Sequence, residues 1–464
     1  MSGIRTFFIL LKKALKGENI DATQGKVDTV IFLLAVPMIA EMLMESIFAL
    51  VDIIFVSMIS VEAVAVVGLT ESTLTIIYSL GFGLSMGATA LVARRVGEKD
   101  PKGAAEAGMQ AIYLGLGLAT IISLIGMFYS KDILILMGAT DSMVETGKGY
   151  IQWMLCGNFA ILLLFLINGI FRGAGDAGIA MRSLMLANLI NIILDPLFIF
   201  GIWIFPELGV KGAAVATTIG RSVGVLYQLY YLVNGKSMIV LKGKIWEIKT
   251  HIIAQLMKLA AGTAGQFIIA SASWIFLMRI MSEFGENVLA GYTTAIRIVV
   301  FTILPAWGIS NAAATLVGQN LGANLPERAE KSVWRTGYFN MLFMGFVMVL
   351  FFAIPEQLIH IITRDEAVVK EGVLCLRILC LGYIAYGYEM VLANAINGAG
   401  DSKTPTIVNF FGFWILQIPL AYFLSTVLDL KSTGVYMAVP ISEACMAIAF
   451  VIIFKRGKWK TQVV

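Results

Sequence analysis

Apolar residues along this chain come in long stretches rather than in short alternating ones. Segments of about 20 residues with few or no charges recur between Leu33 and Phe454, and each is long enough to cross a bilayer as an α-helix. A transmembrane β-barrel would instead alternate in polarity. Twelve spans can be counted, centred near residues 42, 78, 117, 158, 194, 223, 267, 303, 340, 384, 415 and 445. The pattern predicts an all-α polytopic membrane protein with twelve transmembrane helices.

The composition supports a chain surrounded by lipid. Of its 464 residues, 59% are hydrophobic and 14% are charged, whereas soluble domains carry about 25% charged residues. Near the N-terminus, "IRTFFILLKKALKG" does not resemble a cleavable signal and predicts an amphipathic helix on the membrane surface. The four cysteines lie in apolar segments without CxxC spacing, which argues against a disulfide scaffold or a zinc site.

Lysine and arginine residues are concentrated in alternate loops. With the N-terminus placed inside, the inside segments hold 23 of the 34 Lys and Arg residues and the outside loops hold six. Short loops rich in these residues remain in the cytoplasm when a membrane protein inserts. The asymmetry predicts that both termini are cytoplasmic.

The chain matches itself at an offset of 225 residues. "LLAVP" corresponds to "KLAAG", "ALVARRVGEKDP" to "TLVGQNLGANLP", and "FRGAGD" to "INGAGD". The repeat predicts two pseudo-symmetric six-helix bundles: an N-lobe (1–235), a cytoplasmic linker (236–250) and a C-lobe (251–464). Because both halves start on the same side, their symmetry axis lies along the membrane normal. Transporters of this design bind substrate between the halves, and a duplicated enzyme or channel is the alternative.

Three acidic residues lie on one face of the first span. At 100° per residue, Glu41, Glu45 and Asp52 fall within about 40° of one another. Ionisable groups inside a membrane normally face the bundle interior and mark ion or proton pathways. For Glu41 and Glu45, a position at a wet cavity mouth or a structural pairing with a cation is the alternative.

The fifth span contains another acidic residue, in "NLINIILDPLFIFG". Asn191 and Asp195 share a face of this helix, and the corresponding stretch of the second half, "ILQIPL", is uncharged. Asp52 likewise corresponds to Leu277. An acidic site confined to one half indicates a specialised role. Asp52, Asn191 and Asp195 could bind Na⁺ through oxygen ligands, or one carboxylate could bind a proton near neutral pH, and the residue types leave both open.

Two prolines accompany these acidic residues. Pro37 lies four residues before Glu41, and Pro196 directly follows Asp195. A proline inside a helix removes a backbone hydrogen bond and favours a bend. The freed carbonyl groups could bind an ion or form new hydrogen bonds when a carboxylate is neutralised, so Pro37 and Pro196 are predicted sites of helix bending.

An ordered set of motifs resembles one family of transporters. The set comprises "VDIIFVS" in the first span, "NGIFRGAGD" after the fourth, "NIILDPLFIFG" in the fifth and "GVKGAAVAT" opening the sixth. Together with twelve spans in two halves, these resemble the multidrug and toxic compound extrusion (MATE) transporters of the MOP flippase superfamily. The resemblance implies a V-shaped fold and export of organic cations and amphipathic compounds in exchange for H⁺ or Na⁺, by rocker-switch alternating access.

The resemblance also implies where the coupling ion binds. Matched by motif, the site lies in the N-lobe, and Pro37 is the first-span proline whose bending the family couples to protonation or substrate. The residues carried over are Asp52, Asn168, Asn191, Asp195 and Thr217.

This chain departs from some family members in its second half. In place of their acidic residue in the seventh span it has only Gln266 and hydroxyls, and in the tenth span it has Tyr386 and nearby Glu389. The N-lobe site therefore fits the DinF-like or archaeal-type branch, with Glu389 a secondary candidate that Arg377 could pair with. The polar residues that could line a drug cavity in the C-lobe are Gln266, Asn394 and Gln417.

Two other functions are kept as alternatives. A lipid-linked oligosaccharide flippase of the same superfamily would be expected to have several basic side chains in its cavity, and few lie in these spans. A membrane-embedded enzyme lacks HExxH, GxSxG and paired catalytic cysteine and histidine, and no GxxxxGK[ST] loop for ATP is present. We expect no enzymatic activity, no cofactor beyond the coupling ion and no nucleic-acid partner. The resemblance implies a functional monomer in a prokaryotic plasma (inner) membrane, in contact with lipids and small amphipathic or cationic substrates.

Overall fold

A computed structural model describes residues 2–17, 20–235, 237–241 and 247–462, which form helices joined by short turns. The N-terminal half contains α1 (Ser2–Lys16), α2 (Val27–Ser57), α3 (Val61–Gly97), α4 (Pro101–Leu136), α5 (Asp141–Cys156), α6 (Asn158–Ala174), α7 (Ala177–Phe200) and α8 (Val210–Val233). The C-terminal half contains α9 (Thr250–Met281), α10 (Glu286–Gly322), α11 (Pro326–Ala353), α12 (Pro355–His360), α13 (Glu366–Leu379), α14 (Tyr383–Gly398), α15 (Lys403–Asn409), α16 (Ile418–Tyr422) and α17 (Lys431–Lys455).

Twelve of these helical segments correspond to the predicted spans. Among the described residues, nine helices are long and apolar enough to cross a membrane, and α5 and α6, bent by 40° at their junction, together make a tenth. The remaining two are α8, which carries Arg221 and Gln228, and the segment formed by α13 and α14, which is interrupted by a 3₁₀ turn at Cys380–Gly382. Helix α8 is long but carries charged and polar residues, whereas α13 has 14 residues and α14 has 16, so each is short for a membrane crossing by itself.

The two prolines beside the acidic residues do not end their helices. Helix α2 runs through Pro37 to Ser57, and α7 runs through Pro196 to Phe200. The helices are continuous at both prolines, and the bending expected at Pro37 and Pro196 stays a prediction. Each proline still leaves the carbonyl group four residues earlier without its usual helical hydrogen bond, because proline has no backbone N–H.

The eleventh span has an unusual helical geometry that the sequence pattern does not indicate. After α15, residues Phe410–Gln417 form a π-helix, and Phe423–Val427 form a second one after α16. Single-turn π-bulges are common at functional positions, but long π-helical runs are rare. Gln417, which is fully buried, is the last residue of the first π-helix, and α16 follows it directly.

The two halves meet through a contact that is repeated by the internal symmetry. A methyl group added to Gly97 at the end of α3 would lie 2.0 Å from the carbonyl oxygen of Gln319, and one added to Gly322 at the end of α10 would lie 2.2 Å from that of Arg94. Gly97 and Gly322 are equivalent in the repeat, and so are Arg94 and Gln319. The symmetry axis therefore passes between the ends of α3 and α10, where the backbones approach too closely for any residue but glycine.

Further contacts close the same end of the molecule, which is the end with the lysine- and arginine-rich loops. The backbone N–H of Ala22, between α1 and α2, donates to Gln319 Oε1 at 3.0 Å. Arg328 on α11 donates to the carbonyl oxygens of Gln24 and Gly25, and Arg335 forms a two-bond ion pair with Asp28. These interactions join the start of the N-terminal half to the C-terminal half.

The linker between the halves is held by the N-terminal half at both of its described ends. Asp176, between α6 and α7, accepts hydrogen bonds from Ser237 Oγ at 2.5 Å and from the Met238 N–H at 3.1 Å. The side chain of Gln110 on α4 donates to the Glu247 carbonyl oxygen, and its Oε1 atom accepts from the backbone N–H of Lys249. Burial raises the pKa of Asp176 to about 6, against the smaller opposing effect of these hydrogen bonds. Residues 236 and 242–246 of the predicted linker lie outside the described residues.

Candidate functional site

The fifth and sixth spans bring three of the predicted site residues together. Asn191 Nδ2 donates to Asp195 Oδ1 at 3.2 Å, one turn further along α7, and to Thr217 Oγ1 on α8 at 3.0 Å. Helix α8 can approach this closely because it presents Gly220, where a methyl group would lie 2.5 Å from the Ala187 carbonyl oxygen. The amide thus joins a carboxylate and a hydroxyl group across two helices.

Asp52 approaches this group from the first span, and several oxygen atoms around it lack partners. The carboxylates of Asp52 and Asp195 are near enough to repel each other electrostatically. Buried oxygen atoms without a hydrogen-bond partner occur on both carboxylates and on the amide: Asp52 Oδ1, Asp195 Oδ2 and Asn191 Oδ1. Buried polar atoms are seldom left unpaired. We call Asp52, Asn191, Asp195 and Thr217 the N-lobe acidic site.

Asn168 belongs to a different network. Its Nδ2 atom donates to Glu41 Oε1 at 2.9 Å, and its Oδ1 atom accepts from Ser183 and from Gln228 at 2.6 Å. Arg172, one turn further along α6, forms a buried ion pair with Glu41 at 3.4 Å. The structure therefore places Asn168 beside Glu41 instead of among the hydrogen-bonded members of the N-lobe acidic site.

Glu45 also has an arginine partner. Arg221 on α8 donates to Glu45 Oε1 at 2.8 Å, and its guanidinium group lies over the rings of Phe48 and Phe165. Asn188 Nδ2 donates to the other oxygen of Glu45. The acidic residues of the first span thus fall into two groups: Glu41 and Glu45 each form an ion pair with an arginine, whereas Asp52 has no ion pair in the described part of the chain.

A cavity of about 360 Å³ lies between the two halves. One wall is formed by α2, α3 and α6, and the other by α9, α10 and α14. The rings of Phe82, Phe267 and Trp307 pack against one another across the boundary, with centroids 4.9 to 5.6 Å apart. Aromatic and methionine side chains fit flat apolar ligands of varied shape.

The predicted polar residues of the second half are placed in different surroundings. Gln266 and Asn394 line the cavity, where Gln266 is hydrogen-bonded to Asn397 and Asn394 to Ser310. Gln417 is absent from the cavity lining, and both polar atoms of its fully buried side chain lack a partner among the described residues. Glu389 lines the cavity as well.

Glu389 has a buried neighbour that differs from the expected one. The sequence suggested Arg377, but Arg377 is exposed on α13, and the group next to Glu389 is the carboxyl group of Glu443 on α17. Glu443 lies in an apolar span, "AVPISEACMAIAF", so the criterion that singled out Asp195 would have found it. Arg172 was missed because "FRGAGD" places it beside a loop, whereas the structure buries it in the last turn of α6.

Two bundles of membrane-crossing helices around a shared cavity, with buried carboxylates in each, define a membrane transporter. The MatE family model matches residues 37–197 and 263–423. The chain belongs to this family, the MATE transporters, whose members are transporters and not enzymes.

Several relatives and solved structures match this chain over most of its length. The probable multidrug resistance protein NorM of Thermotoga maritima is 26% identical over 434 residues, 93% of each chain. The FAD transporter of Shewanella oneidensis is 26% identical over 404 residues, 87% of this chain and 88% of that one. The outward-facing conformation of a multidrug resistance MATE family transporter of the MOP superfamily matches with a TM-score of 0.90 at 25% identity, over 96% of this chain and 99% of that one. The predicted family and twelve-helix fold are confirmed.

Proposed function

We propose that this transporter exports organic cations and other amphipathic compounds in exchange for protons or sodium ions. The observation that carries the proposal is the N-lobe acidic site, where buried carboxylate and amide oxygens lack partners. The cavity shared by both halves is lined by other residues. A buried carboxylate without a partner is stabilised when it binds a proton or a metal cation. Occupation of the site by the coupling ion would then favour one arrangement of the helices over the other.

The names of the relatives support the substrate class. NorM of Thermotoga maritima is named as a probable multidrug resistance protein, and the cavity offers the aromatic and methionine surfaces that such substrates need. The basic loops at the closed end support a cytoplasmic location for both termini, in the plasma (inner) membrane of a prokaryote. Export in this orientation would take substrate from the cytoplasm and release it on the opposite side.

Transport of a lipid-linked oligosaccharide is less well supported by the cavity. Among the described lining residues, the basic side chain is Arg172, which is already paired with Glu41, and the opposite wall carries Glu389. A polyanionic phosphate would gain little from such a surface and would be repelled by the carboxylate.

Efflux of a cationic dye from inverted membrane vesicles tests the proposal. The vesicles carry wild type, Asp52→Asn, Asp195→Asn, or the control Asp429→Asn, which changes an exposed residue at φ +53°, a conformation that asparagine tolerates. A sodium gradient and a pH gradient are imposed separately. We expect wild type and control to move dye under one of the two gradients, which identifies the ion, and both N-lobe variants to lose at least nine-tenths of the rate, on the order of 1.4 kcal/mol or more.

Two further variants test the role of the hydroxyl group. Thr217→Val removes the acceptor for Asn191 without changing the size of the side chain, whereas Thr217→Ser retains it. We expect a lower exchange rate only for the valine variant. If wild type moves no dye under either gradient, the proposed substrate class is wrong. If transport persists in Asp52→Asn and Asp195→Asn, the coupling site lies elsewhere in the chain.

A further inference from the structure

Two pairs of side-chain amides line the C-terminal wall of the cavity, and they differ in how completely they are hydrogen-bonded. Gln266 Nε2 donates to Asn397 Oδ1 at 3.1 Å, and Asn397 Nδ2 donates back to Gln266 Oε1 at 3.1 Å, so this pair is closed on itself. Asn394 Nδ2 donates to Asn311 Oδ1 at 3.4 Å without a bond in the other direction. In the described part of the chain, Asn394 Oδ1 and Asn311 Nδ2 therefore have no hydrogen-bond partner.

The orientation of the Asn394 amide is determined by Ser310. Ser310 Oγ donates to the Trp307 carbonyl oxygen at 2.9 Å, which uses the one proton of the hydroxyl group. Ser310 can then only accept from Asn394, so Asn394 presents its NH₂ group to it, at 2.8 Å. The same NH₂ group donates to Asn311. The free groups of the open pair are therefore an acceptor on Asn394 and a donor on Asn311.

Both residues of the open pair line the cavity beside its aromatic surface. Asn394 is 7% exposed, and polar groups that are so deeply buried are seldom left without a partner. Trp307 lies one turn before Asn311 on α10, so both side chains are on the same face of that helix. The Trp307 ring packs with those of Phe82 and Phe267. A ligand in this part of the cavity meets a flat aromatic surface together with one acceptor and one donor.

The N-terminal wall has no equivalent of the open pair. At the offset of 225 residues, Asn311 corresponds to Met86 and Asn394 to Gly169. Neither of these has a side chain that can donate or accept a conventional hydrogen bond in place of an amide. The free donor and acceptor are therefore confined to one wall, and they can hold an asymmetric ligand in a single orientation.

We propose that Asn311 and Asn394 bind a neutral cyclic amide, a lactam or an imide, carried on a flat aromatic ring system that lies against Trp307. The ligand N–H donates to Asn394 Oδ1, and the adjacent carbonyl oxygen accepts from Asn311 Nδ2. A ring holds the amide cis, with N–H and C=O on the same side, whereas an open-chain secondary amide is trans and presents them on opposite sides. The inference rests on the proposed function in that it takes an amphipathic export substrate, and it names one chemical class among those substrates.

Two fluorescent probes of nearly the same shape test the site. In 1,8-naphthalimide the ring N–H lies between two carbonyl groups, and N-methyl-1,8-naphthalimide has no N–H. Binding to the full-length protein in detergent is measured by equilibrium dialysis without any ion gradient, after subtraction of partitioning into empty micelles. We expect wild type to bind 1,8-naphthalimide at least tenfold more tightly, because the methylated probe leaves Asn394 Oδ1 unpaired. Equal affinity of the two probes for wild type would overturn the proposal.

Substitutions assign the preference to the two amides. Asn311→Leu and Asn394→Leu replace each amide with an apolar side chain of similar size, and each should reduce the preference to less than threefold. Phe82→Leu is the matched control, because it removes aromatic surface from both probes and should weaken both without changing their ratio. A tenfold preference that survives in both asparagine variants would contradict the assignment.

The failure of this inference can be distinguished from the failure of the proposed function. Efflux of the cationic dye under a gradient, together with equal binding of the two naphthalimides, would contradict only the amide site. A tenfold preference in wild type that both asparagine variants lose, without gradient-driven dye efflux, would support the site and contradict the proposed antiport.

Discussion

Three acidic residues on one face of the first span have different neighbours. Glu41 is fully buried and paired with Arg172, and Glu45 is paired with Arg221. Asp52 instead lies near another carboxylate, that of Asp195. Removing one member of a buried ion pair leaves the other charged and unpaired, whereas removing Asp52 relieves a repulsion. The same type of residue should therefore respond differently to substitution.

The buried pair of Glu41 and Arg172 gives a stability prediction. Arg172→Gln should lower the free energy of unfolding by about 3–5 kcal/mol, because Glu41 is left as an uncompensated buried charge. Adding Glu41→Gln should recover much of this loss, since two neutral amides can form a hydrogen bond. Thermal unfolding in detergent would measure both changes. A double variant as unstable as the single one would show that Arg172 acts through packing or through Ser85, which it also contacts.

The sequence alone was sufficient to predict which acidic residues lie inside the membrane spans, but not which side chains they contact. A carboxylate in the middle of an apolar span is visible without coordinates, which is why Asp52, Asp195 and Glu389 could be selected. The hydrogen-bond and ion-pair partners of these carboxylates could not be predicted, because Arg172 and Asn168 are more than 120 residues away from Glu41 in the sequence. Only the tertiary arrangement, which brings the Glu41 side chain within hydrogen-bonding distance of Asn168, determines this pairing, and no sequence periodicity indicates it.

At the scale of single elements, the helices and their order could be predicted, and their irregularities could not. Long apolar stretches and the 225-residue repeat were enough to count twelve spans. The continuity of α7 through Pro196 and the π-helix at Phe410–Gln417 depend on how neighbouring helices supply packing and hydrogen bonds. The contacts of the linker could not be predicted either. Its composition indicates a connection between the halves but not that the N-terminal half forms hydrogen bonds with it.

Asp176 gives a prediction for the linker. Its pKa is raised to about 6 by burial, so docking of Ser237 and Met238 should be strongest below pH 4 and should weaken as the pH rises through 6. A nitroxide attached at Met238→Cys, an exposed side chain, should become more mobile over this range. Asp176→Asn, which resembles the protonated form, should remove the pH dependence, and Asp176→Ala should free the linker at every pH by about 1–3 kcal/mol. Constant mobility from pH 4 to 8 in wild type would contradict this assignment.

At the scale of the whole molecule, two symmetric contacts, Gly97 with Gln319 and Gly322 with Arg94, close one end. This is the end with the lysine- and arginine-rich loops, which we call the basic end. Gly97→Val places methyl groups against a backbone that cannot move aside, so this end should open. Gly117→Val is the matched control, because nothing lies within 4 Å of the methyl position at Gly117. The spin-label distance between Lys102→Cys and Glu327→Cys, both exposed, should lengthen only for the Gly97 variant. An unchanged distance would mean that other contacts hold the end closed.

The ion pair of Asp28 and Arg335 should contribute less to this closure. Both side chains are nearly half exposed, and the attraction within such a surface pair is weakened by solvent screening. Closure of the basic end therefore depends on close backbone contact, with the charged pair as a minor addition.

The symmetric glycine contact is isologous: one surface of the repeated unit meets a second copy of itself, as in a twofold homodimer. In two separate six-helix proteins, a contact of this kind would have to overcome the entropy of association each time it formed. Here a single chain keeps the two surfaces at a high effective concentration. The contact can therefore be weak and still form reliably, and a weak contact can separate again within one cycle. Fusion of the two copies thus allows the same surface to act as an interface and as a reversible gate.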